Sequence, residues 1–104
     1  MTKRWIRVAS LDDVPLGSTR LVEADGQPVC LYNLEGTICA TQDTCTHAEA
    51  SLADGFIDGE AIECPLHQAL FDIRTGKALT PPATEDLRVY PVRVEGTDIS
   101  VETE

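Results

Sequence analysis

Apolar and polar residues alternate with a period of two in short runs along most of this chain, and turn signals separate the runs. A period of two sends successive side chains to opposite faces of a strand. The pattern therefore predicts strands at 5–9, 19–23, 28–34, 37–42, 88–95 and 98–102. Asp25-Gly26, Glu35-Gly36 and Gly96 fall between consecutive runs, and such residues tolerate the positive φ that tight hairpins require. Tyr90, Val92 and Val94 are expected on one face of their run, and Ile99 and Val101 on one face of the next. No long stretch has helical periodicity, and six prolines are spread along the chain. The expected fold is all-β and largely antiparallel.

Residues 43–83 break this rhythm. Strand signals there are short, at 55–57, 61–63 and 69–73, with turns at Asp58-Gly59 and Thr75-Gly76. The segment reads as a small subdomain of hairpins and loops inserted between strands of the larger sheets. It holds both histidines, two of the cysteines and the pair Pro81-Pro82. A site carried on loops needs bracing, which a metal can supply. With 104 residues, the chain is long enough for one domain, 1–104, and too short for two.

Charge narrows the choice of partners. Eighteen acidic residues against eight basic ones give a net charge of −10. Phosphate backbones and anionic membrane surfaces are repelled by such a chain, so neither nucleic acid nor membrane is an expected partner. The same charge favours encounter with a protein bearing a basic patch. No apolar run approaches the roughly 18 residues of a membrane span, and no targeting segment follows Met1. The expectation is a cytoplasmic protein, where thiols stay reduced. Four cysteines in that compartment point to metal or redox work before disulfides.

The chemistry concentrates in two short segments. Cys45-Thr46-His47 is followed, after 16 residues, by Cys64-Pro65-Leu66-His67. Each of the two histidines lies within three residues of a cysteine, cysteine first. Two thiolates and two imidazoles can hold zinc, but zinc sites ordinarily pair cysteine with cysteine and histidine with histidine at short spacing. Mixed pairs suit two metals better, because each loop then gives one ligand to each ion. In a Rieske [2Fe–2S] centre two cysteines hold one iron and two histidines the other.

Cys45-x-His47 and Cys64-x-x-His67 match the Rieske motif at all four ligand positions. Together with Asp54-Gly55, Glu63, Phe71-Asp72 and Thr75-Gly76, they resemble the small Rieske ferredoxins of bacterial aromatic-ring dioxygenase systems, those of naphthalene and biphenyl dioxygenases most of all. The resemblance runs over nearly the whole chain. It implies a Rieske fold, an antiparallel β-sandwich base with a small cluster-binding subdomain of hairpins and loops, and one [2Fe–2S] cluster per chain on Cys45, His47, Cys64 and His67. It also implies a monomeric one-electron carrier rather than an enzyme, taking electrons from an NAD(P)H-dependent flavoprotein ferredoxin reductase and delivering them to a terminal oxygenase. His47 and His67 become the electron's exit, since the histidine-bound iron takes the added charge. A cluster of this kind is expected to have a potential that falls as pH rises. Other readings are a subunit of a multicomponent monooxygenase or nitrite reductase, or a structural zinc module.

Departures from the high-potential Rieske proteins are informative. Where those carry a disulfide between the cluster loops, this chain has Ala50 and Leu66; where they carry Ser and Tyr hydroxyls, it has Ala69 and Phe71. Fewer donors to the cluster sulfurs imply a potential near the low end of the range, on the order of −150 mV. Thr80-Pro81-Pro82-Ala83 falls where the family's proline loop covers the cluster, and Gln68 follows a ligand with a backbone N–H to offer. A two-residue turn at Glu35-Gly36 sets Cys30 opposite Thr41 and Tyr32 opposite Cys39. The two thiols are then diagonal, roughly 7–8 Å apart, too far for an unstrained disulfide. Free, partly buried thiols are expected at both. Trp5 and Tyr90 read as packing residues, and Asp12-Asp13 and Glu85-Asp86 as solvated loop ends.

Overall fold

In the computed structural model, which describes residues 3–46, 49–66, 68–81 and 85–103, the alternating runs become strands. They are β1 (Arg4–Ser10), β2 (Thr19–Ala24), β3 (Gln27–Leu34), β4 (Thr37–Gln42), β5 (Phe56–Asp58), β6 (Ala61–Glu63), β7 (Leu70–Asp72), β8 (Val89–Tyr90), β9 (Val92–Glu95) and β10 (Asp98–Thr103). They pair antiparallel in three sheets, ordered β1-β10-β9, β2-β3-β4-β8 and β5-β6-β7. The hairpins at Asp25-Gly26 and Glu35-Gly36 turn with positive φ at both central residues, the twist that suits flanking strands. Two short 3-10 turns, Leu11–Asp13 and Leu52–Asp54, had no periodic signal. Among the described residues no helix is long and apolar enough to cross a membrane.

Strand β3 organises the interior. It is buried without a break from Val29 to Leu34, as strands covered on both faces are. Val29 and Leu31 pack with Ala9, Val14, Ile99 and Val101 between the first two sheets, which makes the sandwich base. Cys30, Tyr32 and Leu34 face the other way, onto Leu52, Ile62, Phe71 and Ile73 of the small-sheet region. Complete burial of a Phe71 or Ile62 side chain stabilises by about 1.5–3 kcal/mol each. The same core therefore seats the small sheet on the base.

One expected strand divides. The run 88–95 changes sheets at Pro91: β8 pairs with β4, and β9 with β10. Proline has no N–H for a ladder and is confined to breaks and edges. Its carbonyl instead accepts the Glu102 N–H at 3.0 Å. Tyr90, Val92 and Val94 consequently do not share one environment: Tyr90 is buried, Val92 half-buried and Val94 exposed. The acidic pairs also do more than face solvent. The Asp13 carboxylate accepts the Ser10 N–H at 3.0 Å, and the Asp86 carboxylate the Ala78 N–H at 2.9 Å. Trp5 and Tyr90 are packing residues as expected, each under a guanidinium, Arg93 at 4.4 Å and Arg88 at 4.9 Å.

Candidate metal centre

Strand β4 runs through Asp43 and Thr44 into Cys45, and β6 runs directly into Cys64. Both cysteines open a tight loop and close it in the same way. The Cys45 N–H donates to the Ala50 carbonyl at 3.0 Å, and the Cys64 N–H to the Ala69 carbonyl at 2.8 Å. The equivalent closures put the two cysteines at equivalent places, and both side chains belong to one buried cluster. Both are buried and neither forms a disulfide.

Around them lie Leu52, Ile62, Ala69, Phe71 and Ile73, all fully buried. Desolvation there pushes the Cys64 thiol above its ordinary value; the Leu66 N–H directed at its sulfur opposes the rise, and neighbouring Cys45 adds to it. Two soft sulfur donors, brought together from separate loops in a dry pocket and left unbonded, suit a thiolate-bound metal. The donor set fits one iron of an iron–sulfur cluster.

The structure thus unites Cys45 and Cys64. His47 and His67 lie outside the described residues, as do Pro82 and Ala83 of the proline segment. Among the described residues no three Cys, His, Asp or Glu side chains gather into a metal-sized group, as follows when half of the anticipated set is not described. Gln68 adopts a left-handed backbone, φ 56°, beside the second loop. Ala50 is half-buried and Leu66 exposed, at the positions where the high-potential Rieske proteins carry a disulfide.

Several residues that support the loops carried no local signal. Thr46 Oγ1 donates to the Glu85 carbonyl at 2.7 Å, and Thr80 Oγ1 accepts the Leu70 N–H at 2.9 Å. These bonds tie both flanks of the proline segment to the cysteine loops. Asp43 is a buried carboxylate that accepts the Ala53 N–H at 3.0 Å. Away from the site, Cys30 and Cys39 sit opposite Thr41 and Tyr32 as expected, and both are free. Burial pushes the Cys30 thiol up to about 12 and raises Tyr32 likewise. Tyr32 and Thr41 share a buried hydroxyl–hydroxyl bond of 2.8 Å.

Comparison with known proteins agrees with this geometry. The family described as Rieske [2Fe-2S] domain matches residues 4–91. The chain is 47% identical over 104 residues to the ferredoxin component of the naphthalene 1,2-dioxygenase/salicylate 5-hydroxylase systems of Ralstonia sp, covering 100% of both chains. It superposes on the ferredoxin of carbazole 1,9a-dioxygenase from Nocardioides aromaticivorans IC177 with a TM-score of 0.89 and 38% identity, covering 93% of this chain and 95% of that one. A chain in the complex of reduced oxygenase and oxidized ferredoxin of carbazole 1,9a-dioxygenase gives a TM-score of 0.87 and 38% identity, with 93% and 91% covered.

Proposed function

The chain belongs to the Rieske [2Fe–2S] domain family, and from that premise we propose that Cys45, His47, Cys64 and His67 hold one [2Fe–2S] cluster. On it the chain carries single electrons from an NAD(P)H-dependent flavoprotein reductase to the terminal oxygenase of an aromatic-ring dioxygenase system. The observation that carries this reading is the pair of buried, unbonded thiols that share one core cluster on two identically closed loops. When bound, the cluster supplies a reversible one-electron couple.

The chain's own residues do the rest. Cys45 and Cys64 would give thiolates to one iron of the cluster, and His47 and His67 imidazoles to the other. Leu52, Ile62, Ala69 and Phe71 exclude water from the sulfur side. The net charge of −10 draws the carrier to basic partner surfaces.

Residues 1–104 serve as one domain in this reading, with 43–83 as the cluster-bearing part, working as a monomer in the reducing cytoplasm. The Ralstonia relative's name covers a hydroxylase system as well as a dioxygenase, and this favours a ring hydroxylase as the second reading of the acceptor.

The test is metal analysis and electron delivery. Anaerobically purified protein is expected to contain iron and acid-labile sulfide in equal amounts and to give a rhombic EPR signal once reduced with dithionite. Cys45→Ser, Cys64→Ser, His47→Ala and His67→Ala should each lose the visible colour. The reduced wild type should be reoxidised by the terminal oxygenase of a naphthalene 1,2-dioxygenase system. Zinc without sulfide, or full colour in the four variants, overturns the reading.

A further inference from the structure

The two cysteine loops are closed alike but founded differently. Beneath the Cys64–Ala69 bond lies a strand ladder in which Glu63, Ile62 and Ala61 of β6 pair with Leu70, Phe71 and Asp72 of β7. Beneath the Cys45–Ala50 bond lies only the single bridge of Thr44 with Ser51, and then Asp43.

Asp43 does for the first loop what the ladder does for the second. Its N–H donates to the Pro28 carbonyl at 3.1 Å, anchoring it to the base, and its own carbonyl accepts the Leu52 N–H at 2.8 Å. Its carboxylate Oδ1 accepts the Ala53 N–H at 3.0 Å. Leu52 and Ala53 begin the 3-10 turn Leu52–Asp54, and Ser51, in the N-cap position, makes no side-chain cap. The turn is therefore capped from across the loop by Asp43, which joins the loop's two ends. A carboxylate that is only 4% exposed is unfavourable unless such bonds satisfy it. An apolar residue would serve better if the site needed only filling.

The capped turn reaches the other cysteine. Thr19 Oγ1 holds it from β2 through the Ala53 carbonyl at 2.7 Å. Gly55, next in the chain, lies so close to the Glu63 carbonyl that a Cβ would come within 2.2 Å of its oxygen. Glu63 immediately precedes Cys64. A continuous path of backbone contacts thus runs from Asp43 through the turn to Cys64, without using either thiol.

We propose that Asp43 is a positioning residue that sets the spacing of Cys45 and Cys64, and through it the geometry of the cluster they hold. This rests on the cluster-bearing reading above. The test compares the EPR g-values and the rate of bleaching by EDTA in holoprotein variants. Asp43→Ala should shift the g-values and bleach about tenfold faster, the effect of losing one charge-assisted bond. Asp43→Asn keeps an oxygen for the Ala53 N–H, so it should restore the wild-type g-values and bleach within about threefold of wild type.

Asn33→Ala is the structural control. It removes buried bonds to the Val14 carbonyl and from the Gly36 N–H, both 2.8 Å, on another part of the base, and should leave the g-values unchanged. If Asp43→Ala does not fold, Asp43→Glu is read in its place, since the longer side chain moves the acceptor oxygen. Wild-type g-values and bleaching in Asp43→Ala or its replacement overturn the proposal. So does an equal g-shift in Asn33→Ala. Wild-type protein without iron and sulfide overturns the cluster reading and this proposal together.

Discussion

Substituting Gly55 with alanine probes the narrowest contact near the cysteine loops. Gly55 has φ −84° and ψ −165°, a conformation any L-residue adopts, so backbone strain contributes nothing. The whole cost comes from the added methyl, 2.2 Å from the Glu63 oxygen, 3.1 Å from the Leu52 oxygen and 3.3 Å from the Glu63 carbonyl carbon. An ordinary contact needs about 3.5 Å, so backbone must move by roughly 1.3 Å. Overpacking costs about 1–3 kcal/mol. Here the obstacle is main chain and cannot swing aside, which selects the upper end.

At about 4–8 °C per kcal/mol for a domain of this size, Gly55→Ala should melt roughly 12–24 °C below wild type. It should also alter the visible spectrum, because the displaced carbonyl belongs to the residue before Cys64. Thermal melts followed by far-UV circular dichroism and by visible absorbance read both effects. Gly59→Ala is the control: Gly59 has φ +64° but open space around it. Only the left-handed backbone penalty of about 1–2 kcal/mol applies there. If Gly55→Ala melts no lower than Gly59→Ala and keeps the wild-type spectrum, the close approach does not hold the loops as argued.

Two other outcomes follow from the same geometry. Ala69 is fully buried beside the cysteines, so Ala69→Ser offers a hydroxyl to the sulfur side. A hydrogen bond to a charged acceptor of about 1.5 kcal/mol should raise the potential by roughly 65 mV from a starting value on the order of −150 mV, and a redox titration showing no rise refutes it. Burial lifts the Cys30 thiol from its ordinary 9.0 to about 12, so the folded state prefers the protonated form. That contribution is complete below about pH 9 and is lost as pH rises toward 12. Urea unfolding should show wild type losing more stability above pH 9 than Cys30→Ala does, and equal pH slopes count against the buried-thiol argument.

The two Cys–His pairs and most strands were readable before any fold was known, because each is a short-range property. A Cys and a His held within three residues of each other must act in one neighbourhood, whatever the rest of the chain does. Alternation along β1, β2, β4 and β10 reports which side of a local ribbon meets water. The run of β3 predicted a strand, but its burial on both faces was decided by the two cores that pack against it. The two Asp/Glu-Gly hairpins fixed their own register, so Cys30 and Cys39 came out diagonal and free, as found.

Long-range contacts had no such signature. Pro91 was visible as a proline, but only the competition of two sheets for the same run decided that Tyr90 turns inward while Val94 stays in water. Asp86 read as a solvated loop end, and nothing beside Thr46 or Thr80 in the chain pointed to their bonds, because all three partners arrive from elsewhere in the chain. Asp43 showed no period, motif or turn pattern, and Gly55 nothing beyond its place beside Asp54. Their roles exist only where the turn Leu52–Asp54 is pressed between β2 and the end of β6. Sequence spacing carries the chemistry a single loop can offer; the distance between two loops is set by packing, and packing is summed over residues that are strangers along the chain.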